Sequence, residues 1–185
     1  DEAIPYFAVG VGPAFNFVFA SMDDVNARAK ELGLGELQSP VFQLGAEIFT
    51  AVGVIPNVRL GFSWVSGSST SSANVSVNGT TVNRTLLYGI SSRTFHLDWA
   101  WVPVKSLAIL PGLGFGWGDQ RIETLQSAEG MDWKDLIDSS TIAPQPNANV
   151  ALLQNTLYLL PRLNIEYAVT PFLNLRASAA YTWQF

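Results

Sequence analysis

Of the 185 residues, 48% are hydrophobic, 12% aromatic and only 14% charged, where a soluble domain carries roughly 25% charged residues. That balance excludes a disordered chain, which is poor in apolar residues and rich in charge. A formal net charge of -5 without a basic run excludes a nucleic-acid binder, and 0 Cys excludes disulfides and thiolate metal sites.

A weakly charged, apolar chain suggests membrane helices. No apolar run approaches the roughly 18 residues that a spanning helix needs, because Gly, Ser, Thr, Asn and Pro interrupt every one. The chain opens Asp1-Glu2-Ala3 with no basic-then-apolar leader, and is expected to be mature after removal of a signal peptide.

The periodicity is two. From Tyr6 to Phe19, Phe7, Val9, Val11, Pro13, Phe15, Phe17 and Phe19 share one face, opposite Ala8, Gly10, Gly12, Ala14 and Asn16. Such alternation marks a strand with one apolar and one small-residue face. The pattern recurs and predicts seven strands, near 5–19, 40–52, 57–67, 85–102, 105–118, 150–167 and 172–185. Most reach the roughly 9–11 residues that a tilted strand needs to cross a bilayer. Pro111 and Pro161 fall inside two of them, and each is expected to mark a bulge because proline lacks a ladder donor.

Short turns are predicted near Val54–Pro56, Pro103–Val104 and Ala168–Pro171. Long loops are predicted near Ala20–Ser39, Ser68–Arg84 and Asp119–Asn149. That asymmetry belongs to transmembrane barrels. The first loop holds a candidate helix, with Ser21 as its cap, Met22, Val25, Ala29 and Leu32 as an apolar stripe, and Gly33 as its stop. In the second loop, Val75 to Val82 reads as a hairpin with an Asn-Gly turn. It also carries three sequons, making Asn74, Asn78 and Asn83 candidate glycan acceptors. The third is acidic, with Asp119, Glu123, Glu129, Asp132, Asp135 and Asp138, but its spacing does not match an EF-hand, and no metal or cofactor is expected.

The small-residue face suits a narrow lumen, and the aromatic-rich face suits lipid. Trp64, Trp99, Trp101, Trp117, Tyr167, Tyr181 and Trp183 lie towards strand ends, as an aromatic girdle would. The expected fold is therefore all-β: one domain, 1–185, forming a transmembrane antiparallel up-and-down β-barrel of about eight strands, with a short helix in the first long loop.

The chain ends Tyr181-Thr182-Trp183-Gln184-Phe185. A terminal Phe with aromatics two and four positions earlier resembles the C-terminal sorting signal of bacterial outer-membrane proteins, carried here by Tyr181, Trp183 and Phe185. With the loop asymmetry, the whole chain resembles small eight-stranded outer-membrane barrels of OmpA-, OmpX- and OmpW-like architecture. The resemblance implies a Gram-negative-type outer membrane and cell-surface loops. It also implies partners in membrane lipid, lipopolysaccharide and the barrel-insertion machinery. It implies no particular activity.

Glu47, Arg59, His96, Asp98, Arg162, Glu166 and Arg176 all project from the small-residue face, each within about eight residues of a short turn. They are expected to form one paired layer in the lumen, because isolated charges there are costly. Two readings of that layer stay open: a static plug, or a gate across a narrow, porin-like pore. His96 and Asp98 share a face and could orient a base for a serine, but no G-x-S-x-G elbow is present. A non-enzymatic structural or surface-exposed protein is expected. The alternatives are a strand-pairing subunit of an oligomer or filament, and a lipid-modifying enzyme.

Seven strands are an odd count, whereas single-chain bacterial barrels use even numbers. The expected resolution is closure within one chain, with the first strand laddered to the last or to an eighth strand. The competing one is pairing of open edges between molecules.

Overall fold

The computed structural model describes residues 8–77, 79–128 and 148–185. They form strands β1 (Val9–Val18), β2 (Val41–Ala51), β3 (Val58–Val77), β4 (Thr80–Trp99), β5 (Trp101–Val104), β6 (Leu107–Ala128), β7 (Ala148–Thr170), β8 (Leu173–Ala180) and β9 (Trp183–Gln184). One helix, α1 (Asp23–Glu31), separates β1 from β2. The strands make one antiparallel sheet in the order β1-β2-β3-β4-β6-β7-β8. β5 continues the line of β4 beside β6, and β9 continues β8 beside β7. The sheet is curled into a half-barrel.

Among the described residues β1 pairs only with β2, and β8 only with β7. The two margins are not laddered to each other, so the expected closure within the chain is not found. The reason lies in the strand count. In an up-and-down sheet of seven positions the first and last strands run the same way, and joining them directly requires a parallel ladder that no other pair in this sheet uses.

The prolines also differ from expectation. β6 and β7 keep one register through both, with Pro111 opposite Leu163 and Pro161 opposite Leu113, and no residue is inserted. The ladder breaks on the neighbouring strand instead. Tyr181 donates to the Pro161 carbonyl at 3.0 Å, the return bond has no donor, and β8 stops at Ala180 until β9 resumes at Trp183. Pro111 likewise falls in the gap between the end of the β4–β6 ladder, at Asp98 with Gly112, and the start of the β5–β6 ladder, at Trp101 with Ile109.

β3 and β4 run far past the predicted strand ends, pairing from Val58 with Trp99 out to Val77 with Thr80. A two-residue connection joins them, with Gly79 at φ 83, the left-handed geometry that a tight hairpin turn requires. Asn78 itself lies outside the described residues. β6 similarly extends to Ala128, so Asp119, Arg121 and Glu123 sit on a strand. The rest of the acidic segment, residues 129–147, lies outside the described residues.

Side chains alternate through the middle of the sheet, which is inverted relative to a soluble domain. The convex face exposes Phe15, Phe17, Phe42, Leu44, Leu60, Phe95, Leu97, Leu113, Phe115, Leu163 and Ile165. Along β3, β4 and β6 successive outward rungs are Phe62–Phe95–Phe115, Trp64–Arg93–Trp117 and Ser66–Ser91–Asp119. The concave face buries Arg59, His96, Asp98, Asn164 and Glu166.

Helix α1 folds onto that concave face at the long-loop end. Met22, Ala29, Leu34 and Leu37 form a buried cluster with Val41, Leu86 and Tyr88, flanked by Val25, Leu32 and Ile90. The predicted stripe is thus consumed inside the chain. Ser21 does not cap the helix. Met22 holds the cap position without a side-chain bond, and the Ser21 hydroxyl meets the Asp23 carboxylate at 3.4 Å instead. Gly33, at φ 76, ends the helix. Arg84 ties the end down, donating to the Leu32 carbonyl at 2.7 Å and to Gln126 at 2.6 Å. Arg84→Ala is expected to loosen α1 by about 1.5–3 kcal/mol, the worth of a charge-assisted bond. Faster amide exchange across residues 23–31, with β3 and β4 unchanged, checks it.

Candidate functional site

The concave face encloses a trough of about 1870 Å³, open between the two free margins. Glu47, Arg162 and Arg176 face into it. Beneath them lie Arg59, Asp98, His96 and Glu166, all essentially sealed.

The strand register assembles this group. Arg59 and Asp98 are direct cross-strand partners on β3 and β4, and Glu166 and Arg176 are partners on β7 and β8. Arg59 sits at the centre, with Nη2 2.8 Å from Asp98 Oδ2 and Nη1 in contact with Glu166. Arg176 spans two carboxylates, its Nη1 2.5 Å from Glu47 and its Nε 2.6 Å from Glu166. Arg162 lies 3.3 Å from Glu47 and 3.5 Å from Asp98. His96 is wedged between carboxylates, Nε2 2.9 Å from Glu47 and Nδ1 3.3 Å from Asp98. The structure thus brings all seven candidate lumen residues into one network. Three guanidinium groups face three carboxylates, so the buried formal charge balances before His96 is counted, as a low-dielectric site demands.

Several contributors were not singled out from the sequence. Asn164 accepts from Arg162 at 2.8 Å and from Ser178 at 2.7 Å, and donates to Asp98 and the Leu110 carbonyl at 3.2 Å each. Asn174 donates to Glu166 at 3.1 Å. Phe49 lies under both Arg59 and Arg176, whose guanidinium carbons stand 4.4 and 4.6 Å from its ring centre, a cation–π arrangement. One layer away, Thr94 and Tyr158 share a 2.7 Å bond.

Glycines make the space. A Cβ at Gly61 would stand 2.0 Å from His96 Cε1, and one at Gly112 would stand 2.0 Å from Asp98 Oδ1. Gly61→Ala is expected to push the imidazole off Glu47 and to destabilise the fold by about 1–3 kcal/mol, the usual range for overpacking. A lowered urea midpoint measures it.

Both ring nitrogens of His96 face carboxylates in a sealed site, which leaves neither for a serine hydroxyl. No group of three or more metal-ligating side chains with metal-site geometry occurs among the described residues. The arrangement seals Arg59, His96, Asp98 and Glu166 from solvent and leaves Glu47, Arg162 and Arg176 facing the trough.

The remaining candidates lie elsewhere. Tyr181, Trp183 and Phe185 are exposed on the free margin of β8 and β9, at the long-loop end, where the Phe185 amide donates to Leu157 at 3.0 Å. Asn74 and Asn83 face each other across the β3–β4 hairpin, joined at 2.9 Å. Comparison with protein families, curated proteins and solved structures finds no match to this chain.

Proposed function

We propose that this chain is an integral outer-membrane β-barrel protein, non-enzymatic, which lines a barrel wall and whose lumen is plugged by its own charge network. The observation that carries this reading is the inverted sheet: large apolar side chains cover the convex face while ionised ones are buried on the concave face. Water gives no reason to expose so continuous an apolar surface, and lipid gives every reason. The belt has the right height. Tyr167 opposes Leu107 and Leu157 opposes Trp117, ten residues further along both strands; at roughly 3.3 Å per residue and a tilt of about 40°, that rises about 25 Å, the thickness of a barrel's apolar band. Membrane lipid, lipopolysaccharide and the barrel-insertion machinery are the partners this reading requires, with the long-loop end at the cell surface. The test is extraction and electrophoresis. The protein should need detergent and should shift in gel mobility when heated; solubility without detergent overturns the reading.

A second reading has its own support in the two unpaired margins. Bare edge N–H and C=O groups cost several kcal/mol each in lipid and template pairing in water. A strand-pairing subunit would join β8 of one molecule to β1 of the next. Val11→Cys combined with Leu175→Cys should then give disulfide-linked oligomers on mild oxidation, and a purely monomeric product rejects it.

A further inference from the structure

We infer that the outward rung formed by Trp64, Arg93 and Trp117 is a seat for the exposed phosphate of a bilayer lipid. The inference rests on the membrane reading above and assigns one headgroup site within it.

Seven arginines lie among the described residues, and six of them have an oxygen partner within 2.8 Å: Arg28, Arg59, Arg84, Arg121, Arg162 and Arg176. Arg93 is the exception. Its nearest carboxylate, Asp119, stands 3.7 Å away, and that carboxylate already accepts from Ser91 at 2.9 Å. The Arg93 side chain is 47% exposed on the convex face. A planar fork of N–H donors therefore points outward without a close acceptor, and that fork matches the geometry of a phosphate.

Position gives the ligand its second half. Arg93 is flanked in register by Trp64 and Trp117, and Phe62, Phe95 and Trp117 pack into one aromatic cluster beside it, with ring centres 4.7 to 6.2 Å apart. One rung further out the surface turns to Ser66, Ser91 and Asp119. The order along the strands is apolar, then aromatic and cationic, then hydroxyl. That is the order of an amphiphile whose acyl chains lie on the belt and whose phosphate meets the guanidinium. A free phosphate ion would use only the middle rung.

The test uses the full chain folded into vesicles of phosphatidylcholine containing a minority of phosphatidic acid, whose phosphate is not masked by choline. Native mass spectrometry then counts the lipids retained. The wild type should enrich phosphatidic acid, Arg93→Gln should lose that enrichment about tenfold, and Arg93→Lys, which keeps the charge but not the fork, should fall between the two. Arg121→Gln, which removes an outward arginine held 2.6 Å from Glu123, should leave it unchanged. Unaltered heat-shifted mobility shows that each variant folds. A wild type that enters vesicles without enrichment, or an Arg93→Gln that enriches equally, overturns the seat alone. A wild type that fails to enter vesicles overturns the membrane reading and the seat together.

Discussion

Arg59→Met is expected to lower the stability of the folded chain by about 3–5 kcal/mol, the penalty for breaking a buried ion pair from one side. Arg59 is wholly buried and bridges Asp98 to Glu166, so its loss leaves Asp98 with the longer 3.5 Å contact to Arg162 and Glu166 with Arg176, in a site that water does not reach. Arg162→Ala should do less. Asp98 would keep Arg59, and Glu47 would keep Arg176, so the loss falls to about 1–3 kcal/mol, the range for a partly compensated buried bond. Urea unfolding from detergent measures both, and the ranking is the diagnostic. Equal effects would mean the two arginines serve as interchangeable counter-charges rather than as a keystone and a brace. Bilayer current reports on the same layer: a plug stays closed when Arg162 is lost, whereas a gate conducts.

Leu97→Arg is the second large effect. Leu97 is 53% exposed, in the outward rung Leu60–Leu97–Leu113, with Phe95 and Trp99 on either side along β4. If that surface met water, exchanging a half-exposed leucine for arginine would change stability by no more than about 0.5 kcal/mol. Against the middle of a bilayer it should cost about 2–4 kcal/mol. Folding titrations into vesicles separate the two outcomes, and an unchanged midpoint means the convex face does not meet hydrocarbon.

The parity of seven strand positions was legible because outward and inward residues alternate with period two, and the alternation was rich in Phe and Leu from Phe42 to Ile48 and from Leu107 to Trp117. The same parity gathered Glu47, Arg59, His96, Asp98, Arg162, Glu166 and Arg176 on one face before any coordinates. The length of β3 and β4 was legible only through the Val75–Val82 hairpin with its Asn-Gly turn and not through the alternation. Beyond Trp64 the outward residues become Ser66, Ser68, Thr70 and Ser72, so both faces are polar and the hydrophobic period disappears while the ladder continues. Phe49 was missed for the opposite reason. It shares the parity of Glu47 but is apolar, and a scan that equates apolar with outward discards it. The margins stay apart because strand direction, not strand pattern, decides whether two edges can meet.

The two prolines carry a consequence for how the chain finds its alignment. β7 and β8 share a ladder in which a shift by two residues would keep every side chain on its proper face, so face chemistry alone cannot veto it. A residue that cannot donate can. As aligned, Pro161 meets the interruption between β8 and β9, where no donor is asked of it. If the terminal segment slid by two, that gap would move off the proline, and a continuous stretch of strand would face a nitrogen with nothing to give. Each proline therefore works as a key cut for one notch, and it rejects a mispairing that hydrophobicity would accept.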